Sequence, residues 1–511
     1  MAQFMKYRNP VLPGFYPDPS VCRVGEDYYL VNSSFEYFPG VPIFHSRDLV
    51  NWRQIGHCLT RESQLPLRGT KCSDGIYAPT IRHHQGRFYM ATTNMIPGQG
   101  FRNFFVHTDD PAGEWSDPVW IAQGGIDPSL WFDDSGKVYW TGNGTGWAPV
   151  RGIYQSEIDI TTGKLLTPTE FLWPGTGGGY PESPHLFKRG DYYYLTVAEG
   201  GTADCHMVTV ARSRHAFGPF ESCPYNPVLT HRSLMNPVQA TGHADFFEDH
   251  LGNWWAVFLG IRYAEHGFHN LGRETFLAPV EWTADNWPEV HQGKKVTLEM
   301  EIRREWSLQP WPEPRTREDF DSAQLALSWV FLRNPNAVDW SLTEKPGSLR
   351  LRCSPVTLNE LDSPAFIARR QQHFECRVGT LVEFTPHQEN EEAGLAVLMD
   401  VDHHVEFVIT LREGRRVALL RRRVGTMVTE HPSTPLPDGP VELLIEADRK
   451  EYRFSVASPG EQPRLVGHHE LRYLSTEVAG GYVGVVMGLY AGSQGQPSTN
   501  QAFFDWFDYQ A

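Results

Sequence analysis

Three acidic residues recur in one kind of setting: Asp18 in Tyr16-Pro-Asp-Pro-Ser20, Asp127 in Gly125-Ile-Asp-Pro-Ser-Leu130, and Glu182 in Gly179-Tyr-Pro-Glu-Ser-Pro-His185. Acidic residues and proline are depleted from strand interiors, so these acids belong at the mouths of strands. Brought together, carboxyl groups support two chemistries. A pair flanking a glycosidic bond can protonate the leaving oxygen and activate water or attack carbon, and a third carboxylate beside the acid disfavours its ionisation. The other chemistry is an oxygen cage for a divalent cation. Taken singly, each Asp-Pro is an ordinary turn sequence, and Glu182 reads equally well as a turn or ion-pair residue. Their recurrence at matching places is what points to a shared site.

The neighbouring residue types favour sugar over metal. Phe35, Tyr37, Phe38, Tyr77, Trp147 and Tyr180 lie close in sequence to the acids and offer flat apolar faces, on which sugars lay their C–H surfaces. Arg273 offers a forked donor for hydroxyls or for orienting an acid. His243 reads evenly as a packed histidine or one facing ligand, and Glu199, past its strand, as a support behind the site or as structural. The glycine runs 142–146 and 175–179 lack a following Lys-Ser/Thr, and neither HExxH nor GxSxG occurs.

The acids need a frame, and the first 300 residues supply one. Five times a strand-like run enters a turn and leaves through an aromatic-rich strand. The copies open at Asp18, Ala78, Asp127, Glu182 and His243, and their turn glycines are Gly25, Gly86, Gly136, Gly190 and Gly252, spaced by 61, 50, 54 and 62 residues. Strand–turn–strand repeats of this period predict a five-bladed β-propeller. Glycine supplies the positive φ that tight hairpins require. In a propeller the opening residues of the inner strands converge on one funnel, and three of the five are acidic. Prolines 310, 312 and 314 then predict a semi-rigid linker. Beyond it, alternating runs such as Val405, Phe407, Ile409, Leu411 and Tyr452, Phe454, Val456 predict a β-sandwich. The expected fold is therefore all-β: a propeller over 1–305, a linker over 306–320 and a sandwich over 321–511 packed on the propeller.

Bulk properties narrow the partners. A formal charge of −16 from 45 basic and 61 acidic residues argues against nucleic acid and anionic membranes. The Arg415, Arg416, Arg421, Arg422, Arg423 cluster reads as solvated arginines flanking a strand. Seven widely spaced cysteines without a CxxC pair indicate neither a disulfide framework nor a zinc site. The start of the chain has no signal-peptide pattern, so a cytoplasmic protein is expected.

At these residues the chain resembles glycoside hydrolase family 43, in its β-xylosidase and α-L-arabinofuranosidase branch. The resemblance is carried by Asn9-Pro-Val-Leu-Pro-Gly-Phe-Tyr-Pro-Asp-Pro-Ser20, Ser33 to Ser46, Gly125 to Leu130, Glu182-Ser-Pro-His185, Thr241-Gly-His-Ala-Asp245, Leu271-Gly-Arg-Glu-Thr275 and Phe504-Asp-Trp-Phe-Asp-Tyr509. It implies inverting, exo-acting release of terminal β-D-xylosyl or α-L-arabinofuranosyl residues from xylan-derived or arabinose-substituted oligosaccharides. Asp18 would be the general base, Glu182 the general acid, and Asp127 the modulator of the acid. Phe35, Tyr77 and Ile126 would line the sugar site, with Arg273 contacting hydroxyls and His243 beside the axis. No cofactor is implied for catalysis; a structural calcium ion near His243, held through water, is compatible, as is a homo-oligomer. Tyr77 and Ile126 stand where the β-xylosidase type carries Trp and Phe. A predominantly α-L-arabinofuranosidase activity is the alternative within the class, and a non-catalytic sugar-binding propeller the alternative outside it.

Overall fold

In the computed structural model, residues 4–303, 307–312 and 315–511 are described. Five antiparallel sheets occupy the first half of the chain. Their inner strands are β1 (Ser20–Val24), β2 (Thr80–His84), β3 (Ser129–Phe132), β4 (Glu182–Arg189) and β5 (Val238–Glu248). Each touches the next, and β5 touches β1, so the ring closes and the sheets are the five blades of a propeller. The hairpin turns leaving these strands carry glycine at positive φ, as at Gly136 (83°) and Gly252 (83°). The start of the chain helps to seal the ring. Phe4–Arg8 pairs with Glu299–Arg303, and the Asn9 side chain exchanges hydrogen bonds with the backbone of Leu277 in the fifth blade at 2.9 and 3.0 Å.

The blade entries have unusual backbones. Asp18, Asp127 and His243 all lie at φ between 51° and 54°, and Ser183, next to Glu182, lies at 52°. Left-handed conformations cost a non-glycine residue about 1–3 kcal/mol and persist where the surroundings over-determine them. At the third blade the determinant is visible. Gly125 sits at φ 90°, where a Cβ would fall 1.9 Å from the carbonyl oxygen of Asn143. That close approach lets the Asn143 side chain accept the Ile126 N–H at 3.0 Å. The strand-mouth reading of the acids therefore holds, and the local cost is met by backbone packing that only glycine permits.

The second half forms a sandwich of an eight-stranded and a nine-stranded antiparallel sheet. Val405, Phe407 and Ile409 face inward, while Leu411 at the strand end is half-buried. Phe407 meets Phe454 of the opposing sheet with ring centroids 5.5 Å apart. The arginine cluster departs from its expected place: it lies within the strand Arg415–Val424. Arg421 there is ion-paired to Glu392 at 3.0 Å and to Glu406, both carboxylates being buried. Helix is confined, among the described residues, to the four-residue segment Thr476–Ala479 and three 3₁₀ turns, and none is long or apolar enough to cross a membrane.

The two halves share an edge and a core. Tyr37–Phe38, from the first blade, pairs with Val330–Leu332 and so ends the nine-stranded sheet of the sandwich. Phe15, Phe35, Tyr37 and Leu271 belong to the same apolar cluster as the sandwich interior. Of the proline-rich join, Trp306, Glu313 and Pro314 lie outside the described residues. Within the rest, Trp311 packs under Arg53 at 4.2 Å and donates to the carbonyl of His45, so the join lies on the first blade. Replacing Gly125 by alanine is expected to destabilise the protein by about 2–4 kcal/mol, combining strain with a backbone clash. Denaturant unfolding followed by tryptophan fluorescence measures it; an unchanged midpoint would show that the third-blade entry relaxes freely.

Candidate active site

The ring brings Asp18, Asp127 and Glu182 into one polar cluster at the axis. Asp18 and Asp127 are buried and Glu182 remains partly exposed. Asp18 is the most constrained. Arg273 donates to its Oδ1 at 2.9 Å and to Oδ2 at 3.4 Å. The Ser33 hydroxyl donates to Oδ2, and the Nδ1 of His243 lies 3.5 Å from Oδ1. Burial pushes this carboxyl up, but Arg273, then His243 and the Ser33 hydroxyl, together outweigh burial and hold it below its ordinary value. Asp18 is thus an anion with its lone pairs already aimed.

Glu182 has the opposite environment. Burial, then the nearby Asp18 carboxylate, raise it to about 7, against the opposing pull of Arg273. Asp127 is also pushed well up, first by burial and then by Glu182 and Asp18, although the Ser183 N–H donates to its Oδ2 at 3.2 Å. Like charges this close in a poorly solvated site cannot both ionise, so the Glu182–Asp127 pair keeps a proton near neutrality. One ionised carboxylate facing a protonated pair is the charge pattern of acid–base work.

The loop before Glu182 is braced by Glu199, whose carboxylate accepts the N–H groups of Thr176 at 2.8 Å and Gly178 at 2.7 Å and the Thr209 hydroxyl at 2.6 Å. A Cβ at Gly178 would meet that carboxylate at 2.6 Å, and one at Gly175 would meet it at 2.8 Å, which accounts for glycine at these two positions of the run. Glu199 is structural, as its sequence context suggested.

Aromatic rings wall the acids. Phe35 lies 5.6 Å from Tyr77, which in turn lies 5.8 Å from Phe101. Tyr482, from the sandwich, faces Phe35 at 6.1 Å with its ring inclined by 27°. Arg273 lies beside both rings, 5.7 Å from Phe35 and 5.6 Å from Tyr482. It also donates to the Thr202 hydroxyl at 3.0 Å and the Tyr482 carbonyl at 3.4 Å. Ile126 is half-buried and holds Asp127 through its backbone bonds to Asn143. Trp147 and Tyr180 are exposed, with Arg151 lying 5.3 Å from the Tyr180 ring. Tyr37 and Phe38, also offered as sugar platforms by their sequence position, instead pack toward the sandwich.

Ser33, Thr202, His206 and Tyr482 escaped the sequence reading. Ser33 opens a Ser-Ser-Phe run but carries no charge to flag it. His206 packs on Gly242, where a Cβ would meet its ring at 2.4 Å. Tyr482 lies more than two hundred residues from Arg273, on a loop tied back by the bond from its N–H to the Ser73 hydroxyl at 2.8 Å; no local pattern announces such a contact.

Calcium takes six to eight oxygen ligands at about 2.3–2.6 Å. His243 is a neutral imidazole, burial pushing it down to about 4. Among the described residues no three His, Cys, Asp or Glu side chains form a group able to hold a metal ion. The donor set does not fit a directly coordinated cation.

Comparison with known proteins agrees with this fold. A sequence profile described as Glycosyl hydrolases family 43 matches residues 7–288, and one described as Beta xylosidase C-terminal Concanavalin A-like domain matches residues 317–510. The chain is 45% identical over 509 residues to Non-reducing end alpha-L-arabinofuranosidase BoGH43B of Bacteroides ovatus, covering 99% of this chain and 94% of that protein. It is 40% identical to a Xylosidase/arabinosidase of Butyrivibrio fibrisolvens, covering 98% of each. A solved structure described as Bacteroides ovatus Xyloglucan PUL GH43B superposes with a TM-score of 0.95 at 44% identity, covering 99% of this chain and 100% of that one. With its acids on a five-bladed ring and its second domain matched as well, this chain belongs to glycoside hydrolase family 43.

Proposed function

We infer that the protein is an inverting, exo-acting glycoside hydrolase that releases terminal α-L-arabinofuranosyl and β-D-xylosyl residues from xylan-derived or arabinose-substituted oligosaccharides. The observation that carries the roles is the divergence of two carboxyl environments: Asp18 held ionised by Arg273 and Ser33, Glu182 raised to about 7.

In this reading Asp18 takes a proton from water as the water attacks the anomeric carbon. Glu182 gives its proton to the leaving oxygen as the glycosidic bond breaks. Water attacks from the face opposite the leaving group, so the configuration inverts. Asp127 stabilises the protonated form of Glu182 and, through the Ser183 N–H, fixes the backbone next to it. Arg273 directs Asp18, and a sugar hydroxyl would contact it by replacing its bond to Thr202 or to the Tyr482 carbonyl. The two carboxyls complete the proton inventory, and catalysis needs no cofactor. Phe35, Tyr77 and Tyr482 offer faces for the C–H surface of a terminal pentose. Tyr482 closes one side of the pocket, which supports action at chain ends and side groups.

Tyr77 and Ile126 support a pocket that accepts either pentose, and the naming of the relatives supports the same breadth. p-Nitrophenyl α-L-arabinofuranoside and β-D-xyloside are both expected to turn over, the arabinofuranoside at least as fast; a strict xylosidase would overturn this part. Glu182→Ala is expected to cut kcat on unactivated oligosaccharides by about 10²–10⁴-fold, and by far less on dinitrophenyl glycosides, which leave without a proton. Asp18→Ala is expected to abolish turnover of both. Equal losses on both substrates for Glu182→Ala would reject the acid assignment. kcat/KM is expected to fall as pH rises through about 7, where Glu182 loses its proton. The acid-side fall lies below the ordinary carboxylate range, because Asp18 resists protonation. A pH-rate profile reads both limbs.

A further inference from the structure

Beneath the acids, deeper along the axis, lies a second polar layer with no assigned role. Asp245 on β5 is buried, and its carboxylate is forked onto Arg82 of β2, with NH1 to Oδ2 at 2.8 Å and NH2 to Oδ1 at 3.1 Å. The same carboxylate accepts the Ser20 hydroxyl at 2.7 Å and the Val21 N–H at 3.2 Å, both at the start of β1. Arg82 NH2 also lies 3.2 Å from Nδ1 of His185 on β4. Guanidinium can only donate, so this nitrogen accepts and the neutral imidazole carries its proton on Nε2. The Ser129 hydroxyl of β3 approaches the same Nδ1 at 3.4 Å.

One ion pair therefore joins four inner strands directly and reaches the fifth, at Ser129, through His185. The residues it grips sit at fixed offsets from the reacting groups. Ser20 is two residues past Asp18, Ser129 two past Asp127, His185 three past Glu182, and Asp245 two past His243. Three mutually repelling carboxyls above need a stiff base, and their strand mouths carry positive-φ backbones that must be held by something. We propose that Arg82 and Asp245 are positioning residues for the hydrolytic reaction, acting through Ser20 on the Asp18 strand and through His185 on the Glu182 strand. They touch neither substrate nor reacting atoms. Their part is to fix the offset between base and acid, where an error of about 1 Å costs roughly 10²-fold in rate.

This inference rests on the roles given to Asp18 and Glu182 above, and the test separates the two. Asp245→Asn keeps shape and removes the charge opposite Arg82. It is expected to lower kcat by about 10–100-fold with KM changed less than about 3-fold. Ser20→Ala leaves the ion pair intact and loosens only the Asp18 strand. Its smaller kcat loss is expected to be equal for dinitrophenyl glycosides and unactivated oligosaccharides. His185→Asn loosens the Glu182 strand, so its loss is expected to grow as the leaving group worsens. Arg82→Lys is expected to retain more kcat than Arg82→Met. A purely structural layer would lower melting temperature without this leaving-group contrast. Folded Asp245→Asn, Ser20→Ala and His185→Asn with kcat within about twofold of the parent on both substrates would overturn the proposal. If Asp245→Asn does not fold, the other two variants decide it. Should Asp18→Ala and Glu182→Ala themselves leave activity intact, the reading of the site fails instead.

Discussion

Confining three carboxyl groups in one poorly solvated place is the constraint on which the rest of the structure depends. Asp18, Asp127 and Glu182 repel when ionised, and a flexible chain would let them part. The propeller prevents this by delivering each from a different blade at the start of a strand packed on both sides by its neighbours. Arg273 then resolves the degeneracy. By pairing with Asp18 it assigns the negative charge to one carboxyl and leaves the proton to the pair across from it. Function follows from this asymmetry more than from any one residue type.

Arg273 is itself a dependent part. Glu274, next to it, is buried and receives the fork of Arg262 at 2.7 Å and the N–H of Gly14 at 2.8 Å, so the strand bearing Arg273 is locked to the segment that leads into Asp18. Phe35 from the propeller and Tyr482 from the sandwich both border the guanidinium. The pocket is thus a product of both halves of the chain. A buried cation beside two rings loses some hydration, and the rings and the carboxylate replace it.

Much of this was legible in the sequence, for definite reasons. The repeat period and turn glycines encode the blades, because each hairpin needs a left-handed residue at a set place. The acids could be picked out because Asp-Pro-Ser and Glu-Ser-Pro break strand composition at matching points. Alternation at Val405–Ile409 and Tyr452–Val456 encodes a half-buried sheet surface. What sequence did not disclose depends on contacts between remote segments. Tyr482 reaches Arg273 by a loop whose course is set by tertiary packing. Tyr37 and Phe38 look like any aromatics near the site until the pairing of their backbones with Val330–Leu332 turns them toward the sandwich. Asp245 was visible only as part of a motif, since its partner Arg82 lies on another blade with nothing unusual around it. The arginine run misled because the carboxylates that neutralise Arg421 come from three other strands.

The two-residue strand Tyr37–Phe38 has a wider meaning. A segment encoded near the beginning of the chain pairs with a strand encoded almost three hundred residues later, so the halves are not interchangeable cassettes. A recombination event that exchanged the second domain for that of a distant relative would have to supply a matching sheet edge as well as a matching pocket loop. Inheritance of the two as a single unit is what such interlacing favours, and the continuous match of relatives across both halves accords with it.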